Sequence, residues 1–75
     1  MQRSPVLRPR EVIRALERAG FSLHHSTGSH HYFKHRDRPG RIVTVPVHPR
    51  DLKRPVLASI LKQAGLTSEE FLELL

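Results

Sequence analysis

Residues 21–35 read Phe-Ser-Leu-His-His-Ser-Thr-Gly-Ser-His-His-Tyr-Phe-Lys-His, two alternating stretches around a turn signal. In the first, Phe21, Leu23 and His25 share one side while Ser22 and His24 take the other, the period-two pattern of a half-buried strand. Ser26-Thr27-Gly28-Ser29 supplies the hairpin turn, with Gly28 able to adopt positive φ. The second strand, residues 30–35, sets His30, Tyr32 and Lys34 on one face and His31, Phe33 and His35 on the other. An antiparallel hairpin therefore stands at the centre of the chain and carries five of its six histidines.

Working outward, Arg36-Asp37-Arg38-Pro39-Gly40 reads as a polar loop with a Pro-Gly turn signature. The β-branched run Arg41-Ile42-Val43-Thr44-Val45-Pro46 is a third strand that Pro46 ends or marks as an edge. Upstream, residues 9–19 predict a helix. Pro9 suits its first position, Val12, Ile13, Leu16 and Ala19 form one apolar stripe, and Gly20 stops it. Residues 1–7 read as a frayed start. Downstream, residues 47–54 form a basic connector. A second helix follows, with Pro55 at its start, Val56, Leu57, Ile60, Leu61 and Ala64 on its apolar face, and Gly65 as its stop. Thr67 and Glu70 form a capping box for a short last helix packed down by Phe71, Leu72 and Leu75. The order predicts one α+β domain over residues 1–75. Its three-stranded antiparallel meander is covered by helices on one face, and the other face is left open.

The chain has 75 residues, so it has room for one core and one shallow site, and a deep pocket for a nucleotide cofactor with a substrate is not expected. It has no cysteine, which excludes disulfides, thiol catalysis and thiolate zinc sites. For so small a domain, that composition points to a reducing, cytoplasmic setting. No apolar run is long enough to cross a bilayer. The N-terminal MQRSPVLRPRE lacks the apolar core of a signal peptide. Thirteen Lys and Arg against seven Asp and Glu give a formal charge of +6, a composition suited to polyanions, of which nucleic acid is the commonest in a cytosol.

Adjacent histidines on a strand point to opposite faces. The cluster therefore does not assemble the three or four convergent ligands that zinc requires, although cross-strand pairing would bring His25 near His31. No metal and no cofactor are expected. Histidine as an acid or base on RNA fits the composition better, because an imidazole both takes and gives protons near neutral pH. Cleavage needs a proton removed from a 2′-hydroxyl, a proton delivered to the 5′-oxygen, and cations beside the phosphorane. A histidine near Lys34 and arginines meets that need; the competing reading is a set of polar residues on a wet strand face. The loop through Val45-Pro46-Val47-His48-Pro49 into Asp51-Leu52-Lys53-Arg54 is either a phosphate-contacting segment or a rigid connector with solvated charges.

Taken together, several pieces resemble the HicA family of toxin ribonucleases from bacterial toxin–antitoxin pairs. They are a helix ending in Ala19-Gly20-Phe21, then Gly28-Ser29-His30-His31-Tyr32-Phe33-Lys34-His35, Val43-Thr44-Val45-Pro46, His48-Pro49, Asp51-Leu52 and residues 59–66, SILKQAGL. The resemblance implies a double-stranded-RNA-binding-like fold and a metal-independent mRNA endoribonuclease silenced by a HicB-type antitoxin. It places the essential histidine after the Gly-Ser pair, at His30, with His31 as the rival because some members carry the histidine one residue later. Gly28 and Ser29 support that histidine, and Lys34, Arg36, Arg41, Lys53 and Arg54 are the expected RNA contacts. Val47 stands between Pro46 and His48, where many members read Val-Pro-His-Pro directly. A non-catalytic RNA-binding module of the same fold is the alternative, and a purely protein-binding domain is a third reading.

Overall fold

The computed structural model describes residues 7–75. Its order is α1 (Pro9–Arg18), β1 (Phe21–Thr27), β2 (His30–His35), β3 (Arg38–Pro46), α2 (Arg54–Ala64) and α3 (Ser68–Leu74). The three strands form one antiparallel sheet in sequence order, β1-β2-β3, consistent with the double-stranded-RNA-binding-like arrangement. Among the described residues, no helix is long and apolar enough to cross a membrane.

The core lies between the sheet and the helices. Phe21, Phe33, Val43 and Val45 point from the sheet into it, and they meet Val12, Ala15 and Leu16 of α1 and Leu57, Ile60 and Leu61 of α2. Phe71 of α3 is also buried there, and Arg18 of α1 donates to the Leu74 carbonyl at 2.7 Å, which ties the last helix to the first. A cation at a helix C-terminus complements its exposed carbonyls. The Thr67–Glu70 capping box is present in both directions: Thr67 N–H donates to Glu70 Oε1 at 2.8 Å, and Glu70 N–H donates to Thr67 Oγ1 at 3.0 Å. No charged or polar residue among those described is buried.

Three boundaries differ from the sequence expectation. The frayed start was expected over residues 1–7. Residues 1–6 lie outside the described part, and Leu7 is buried in the core with its carbonyl accepting from Leu52 N–H at 2.7 Å. An apolar residue two positions before the helix has apolar surface to remove from water, and that docks it. Strand β1 runs two residues further than its alternation suggests, to Thr27, so the hairpin turn contracts to Gly28–Ser29. The Pro39-Gly40 punctuation does not make a loop. The turn is Arg36–Asp37, and Pro39, Gly40 and Arg41 lie inside β3 between the partners of His35 and Lys34, as a local irregularity of register. A proline is compatible with a strand at such a place because the ladder does not need its missing N–H.

The outer edge of β3 is covered. Gln63 of α2 accepts from Thr44 N–H through Oε1 at 2.8 Å, donates to Ser59 Oγ at 3.1 Å, and receives Arg41 Nη1 on its carbonyl at 2.7 Å.

Candidate functional site

The face of the sheet turned away from the helices carries His30, Tyr32 and Lys34 of β2 as its central row. Antiparallel pairing sets Thr27, His25 and Ser22 of β1 on one side of that row, and Pro46, Thr44 and Ile42 of β3 on the other. His30 is exposed, and among the described residues neither ring nitrogen has a protein partner. His31 pairs with Ser26 and Val45 on the opposite face, beside the core. The two rivals of the sequence reading are thus separated by the pleat, with only His30 sharing a face with Lys34.

The turn before His30 explains its glycine. Gly28 has φ of +54°, and Ser29 does not share the positive sign, as in a type II′ hairpin turn. A β-carbon built on Gly28 would meet nothing within 4 Å, so the requirement there is conformational, not steric. The Ser29 carbonyl accepts from Val47 N–H, which extends the β2–β3 ladder one step past the His30–Pro46 pair. Val47, the interposed residue, is thus a ladder position. His48 follows it with Nδ1 accepting from Arg50 N–H at 3.2 Å, and it lines a groove with Arg50, Asp51, Lys53 and Val56.

The expected RNA contacts do not all gather around His30. Lys34 shares its face and lies half-buried between Ser22 and Ile42. Lys53 and Arg54 are exposed at the start of α2, on the segment that leaves the sheet beside the Gly28–Ser29 turn. Arg36 sits in the other turn, at the far end of β2, a strand length of about 17 Å away at 3.4 Å per residue. Arg41 has its guanidinium on the Gln63 carbonyl at the end of α2.

His35 is taken up structurally. Its Nδ1 accepts from Asp37 N–H at 3.1 Å, which leaves Nε2–H to donate to the Ala19 carbonyl at 3.0 Å, and its ring meets Phe21 edge-on at 4.9 Å. Gly20 makes room for it. A β-carbon there would lie 2.6 Å from His35 Nε2, and Gly20 has φ of +103°.

One feature of the open face departs from the sequence reading. Between Leu23 and His25 the register shifts: Leu23 pairs with Phe33 and His25 with Tyr32, so His24 is an extra, bulged residue. A bulge resets the alternation of the strand by one residue. His25 is therefore not on the side of Phe21 and Leu23, nor near His31. It lies on the open face, stacked on Tyr32 with ring centroids 4.5 Å apart and planes 11° apart. His24 meets it edge-on at 5.1 Å. The turn contained the signal for this. A two-residue turn pairing Thr27 with His30 leads, unbroken, to Leu23 opposite Lys34, which would strand Leu23 on the polar face; only an extra residue reconciles the turn with the apolar pattern. Among the described residues, no three His, Asp or Glu side chains converge as a metal site.

Residues 9–66 match the family described as HicA toxin of bacterial toxin–antitoxin. The chain belongs to the HicA toxin family. The HicA match begins at the first residue of α1 and ends just beyond the Gly65 stop of α2, so it takes in the whole sheet and the open-face histidines. Membership makes the chain a toxin of a toxin–antitoxin system, with an antitoxin as its partner in general. No curated relative matches the chain.

Proposed function

We infer that this toxin is a metal-independent endoribonuclease that cleaves mRNA in the cytoplasm, with His30 as general acid/base, and that a HicB-type antitoxin silences it. The observation that carries the reading is His30 itself: exposed, unpartnered among the described residues, directly after the Gly28–Ser29 turn, and in one row with Tyr32 and Lys34. An imidazole with both nitrogens open to substrate has what proton transfer requires, whereas one held at both nitrogens, as His35 is, does not. Gly28 and Ser29 act by holding the turn that delivers His30 to the open face. Lys34 supplies a cation to the phosphorane, and Lys53 and Arg54 bind flanking RNA backbone. Arg36, at the far end of the sheet, reaches only RNA that extends along β2. The Arg41 guanidinium is committed to capping α2 and contributes little. With Lys34 on the open face and Lys53 and Arg54 on the segment beside its turn, a partner of complementary charge and shape lying over it would cover the site.

The test is expression of wild type and His30→Ala with growth arrest and RNA integrity as readouts, paired with cleavage of RNA by the purified proteins in EDTA. The expected result is loss of arrest and of cleavage in His30→Ala with RNA affinity kept. A His30→Ala protein that cleaves RNA at the wild-type rate overturns the catalytic reading, and arrest that survives loss of His30 but not of the basic residues would instead support a non-catalytic RNA-binding module.

A further inference from the structure

RNA cleavage by proton transfer needs two groups, one to take the 2′-hydroxyl proton and one to protonate the departing 5′-oxygen. Most of the other side chains near His30 fit the second role poorly. His31 is on the opposite face, beside Val45. Tyr32 has its hydroxyl toward Thr27 Oγ1 at 3.4 Å and its ring covered by His25. Lys34 is better suited to phosphate charge than to shuttling a proton near neutral pH. The bulge at His24 changes that inventory, because it rotates a second imidazole onto the face of the first.

Resting on the ribonuclease reading above, we propose that His25, turned onto the open face by the bulge at His24 and stacked on Tyr32, is the second catalytic residue, the general acid that partners His30. His25 and His30 belong to successive cross-strand pairs of the open face, His25–Tyr32 and Thr27–His30, with Ser26–His31 between them on the other face. Such diagonal positions lie about 7–8 Å apart in an antiparallel sheet. Tyr32, with its hydroxyl toward Thr27 Oγ1, crosses between them, so the two imidazoles act on one phosphodiester laid over the open face, each reaching an oxygen at about 2.8 Å. Tyr32 settles which is which. The face of a phenol ring attracts a cation, and His25 lies over that face with planes 11° apart. The acid is therefore assigned to His25, and the base to His30.

The step balances without any further reactant. His30 accepts the proton of the 2′-hydroxyl as the O2′–P bond forms. The P–O5′ bond breaks, and the 5′-oxygen takes its proton from His25. The products are a 2′,3′-cyclic phosphate and a 5′-hydroxyl, and water returns the two imidazoles to their starting states.

The experiment uses the full chain and an RNA oligonucleotide cut by wild type at a mapped bond, made also with sulfur replacing the bridging 5′-oxygen at that bond. A thiolate leaves without an acid. His25→Phe keeps a ring against Tyr32 and removes the proton. It is expected to lose about 10²-fold or more in kcat/KM on the ordinary RNA, together with the alkaline limb of the pH profile, and to recover to within about tenfold of wild type on the sulfur substrate. His30→Ala should lose activity on both. Equal losses on both substrates for His25→Phe, or no loss, overturn the assignment of His25 while leaving the ribonuclease reading in place. A fully active His30→Ala, or a wild type that cuts no RNA, overturns that reading and the inference with it. Unchanged circular dichroism and melting temperature in His25→Phe exclude unfolding as the source of a loss.

Discussion

Strand β2 begins and ends with a histidine beside a two-residue turn, and the two ends have been put to opposite uses. His35, next to Arg36–Asp37, spends one nitrogen on the turn and the other on the end of α1. His30, next to Gly28–Ser29, has no protein partner among the described residues and faces away from the helices. They are five residues apart, an odd number, so the pleat sends them to opposite faces. The residue type does not decide the role. A histidine whose nitrogens are both engaged is a brace, and one with neither engaged is available for chemistry.

The sharpest way to test that contrast is to remove each histidine in turn. His30→Ala is expected to lower RNA cleavage by about 10²-fold or more while moving the unfolding free energy by no more than about 0.5 kcal/mol. Cleavage assays and denaturant titration on the same preparations would show it, and similar stability losses at both ends would break the comparison. Gly20→Ala probes the braced end from its other side. A β-carbon 2.6 Å from His35 Nε2, at φ of +103°, is expected to cost roughly 2–3 kcal/mol in thermal or denaturant unfolding. In a His35→Ala background the clash disappears, and the cost should shrink to about 1 kcal/mol from backbone strain alone, a coupling that a double-mutant cycle reads directly. His35→Ala by itself should cost about 1–2 kcal/mol for two hydrogen bonds.

At the other end, Gly28→Ala meets no steric obstacle and should cost only about 1 kcal/mol for its positive φ. Its larger signature would be in cleavage, because the turn it distorts aims His30. The smallest effect lies outside the comparison and serves as its control. Glu70 is drawn below its ordinary 4.5, chiefly by the Thr67 N–H and then by the Thr67 side chain. A carboxylate with a depressed folded-state value stabilises fully above its unfolded value and loses that contribution as pH falls through the folded one. Helix α3 should therefore loosen as pH falls below that ordinary value, seen as exchange of its amides, and Thr67→Ala should loosen it at neutral pH by about 1 kcal/mol.

Much of this was legible in the chain. Pro9, Gly20, Pro55 and Gly65 bracket two helices at the observed places, and period two in residues 30–35 separates His30 from His31. Two things were obscured. Pro39-Gly40 carries the strongest local turn signal of its region, yet the chain turns at Arg36–Asp37, because His35 holds the Asp37 amide and draws Arg38 into the ladder. That is a tertiary constraint overriding local punctuation. The bulge at His24 escaped alternation alone because no glycine marks it. It becomes visible only when the register imposed by the turn is set against the apolar positions of Phe21, Leu23 and Phe33. The places of Arg41 and Arg36 were illegible for a simpler reason: charge in a sequence has no address, and Arg41 lies on the Gln63 carbonyl while Arg36 lies in the far turn.

Gln63 has a consequence for how these molecules behave in a crowd. A sheet edge with unpaired amides is a template on which further chains add, and small β-rich proteins at high concentration aggregate through it. By accepting the Thr44 N–H, the Gln63 side chain occupies a position that an incoming strand would need. Fibre growth past β3 must first break that bond and displace α2 from the strand beside it. The sheet edge opposite the bulged strand is thus guarded at Thr44 against self-association.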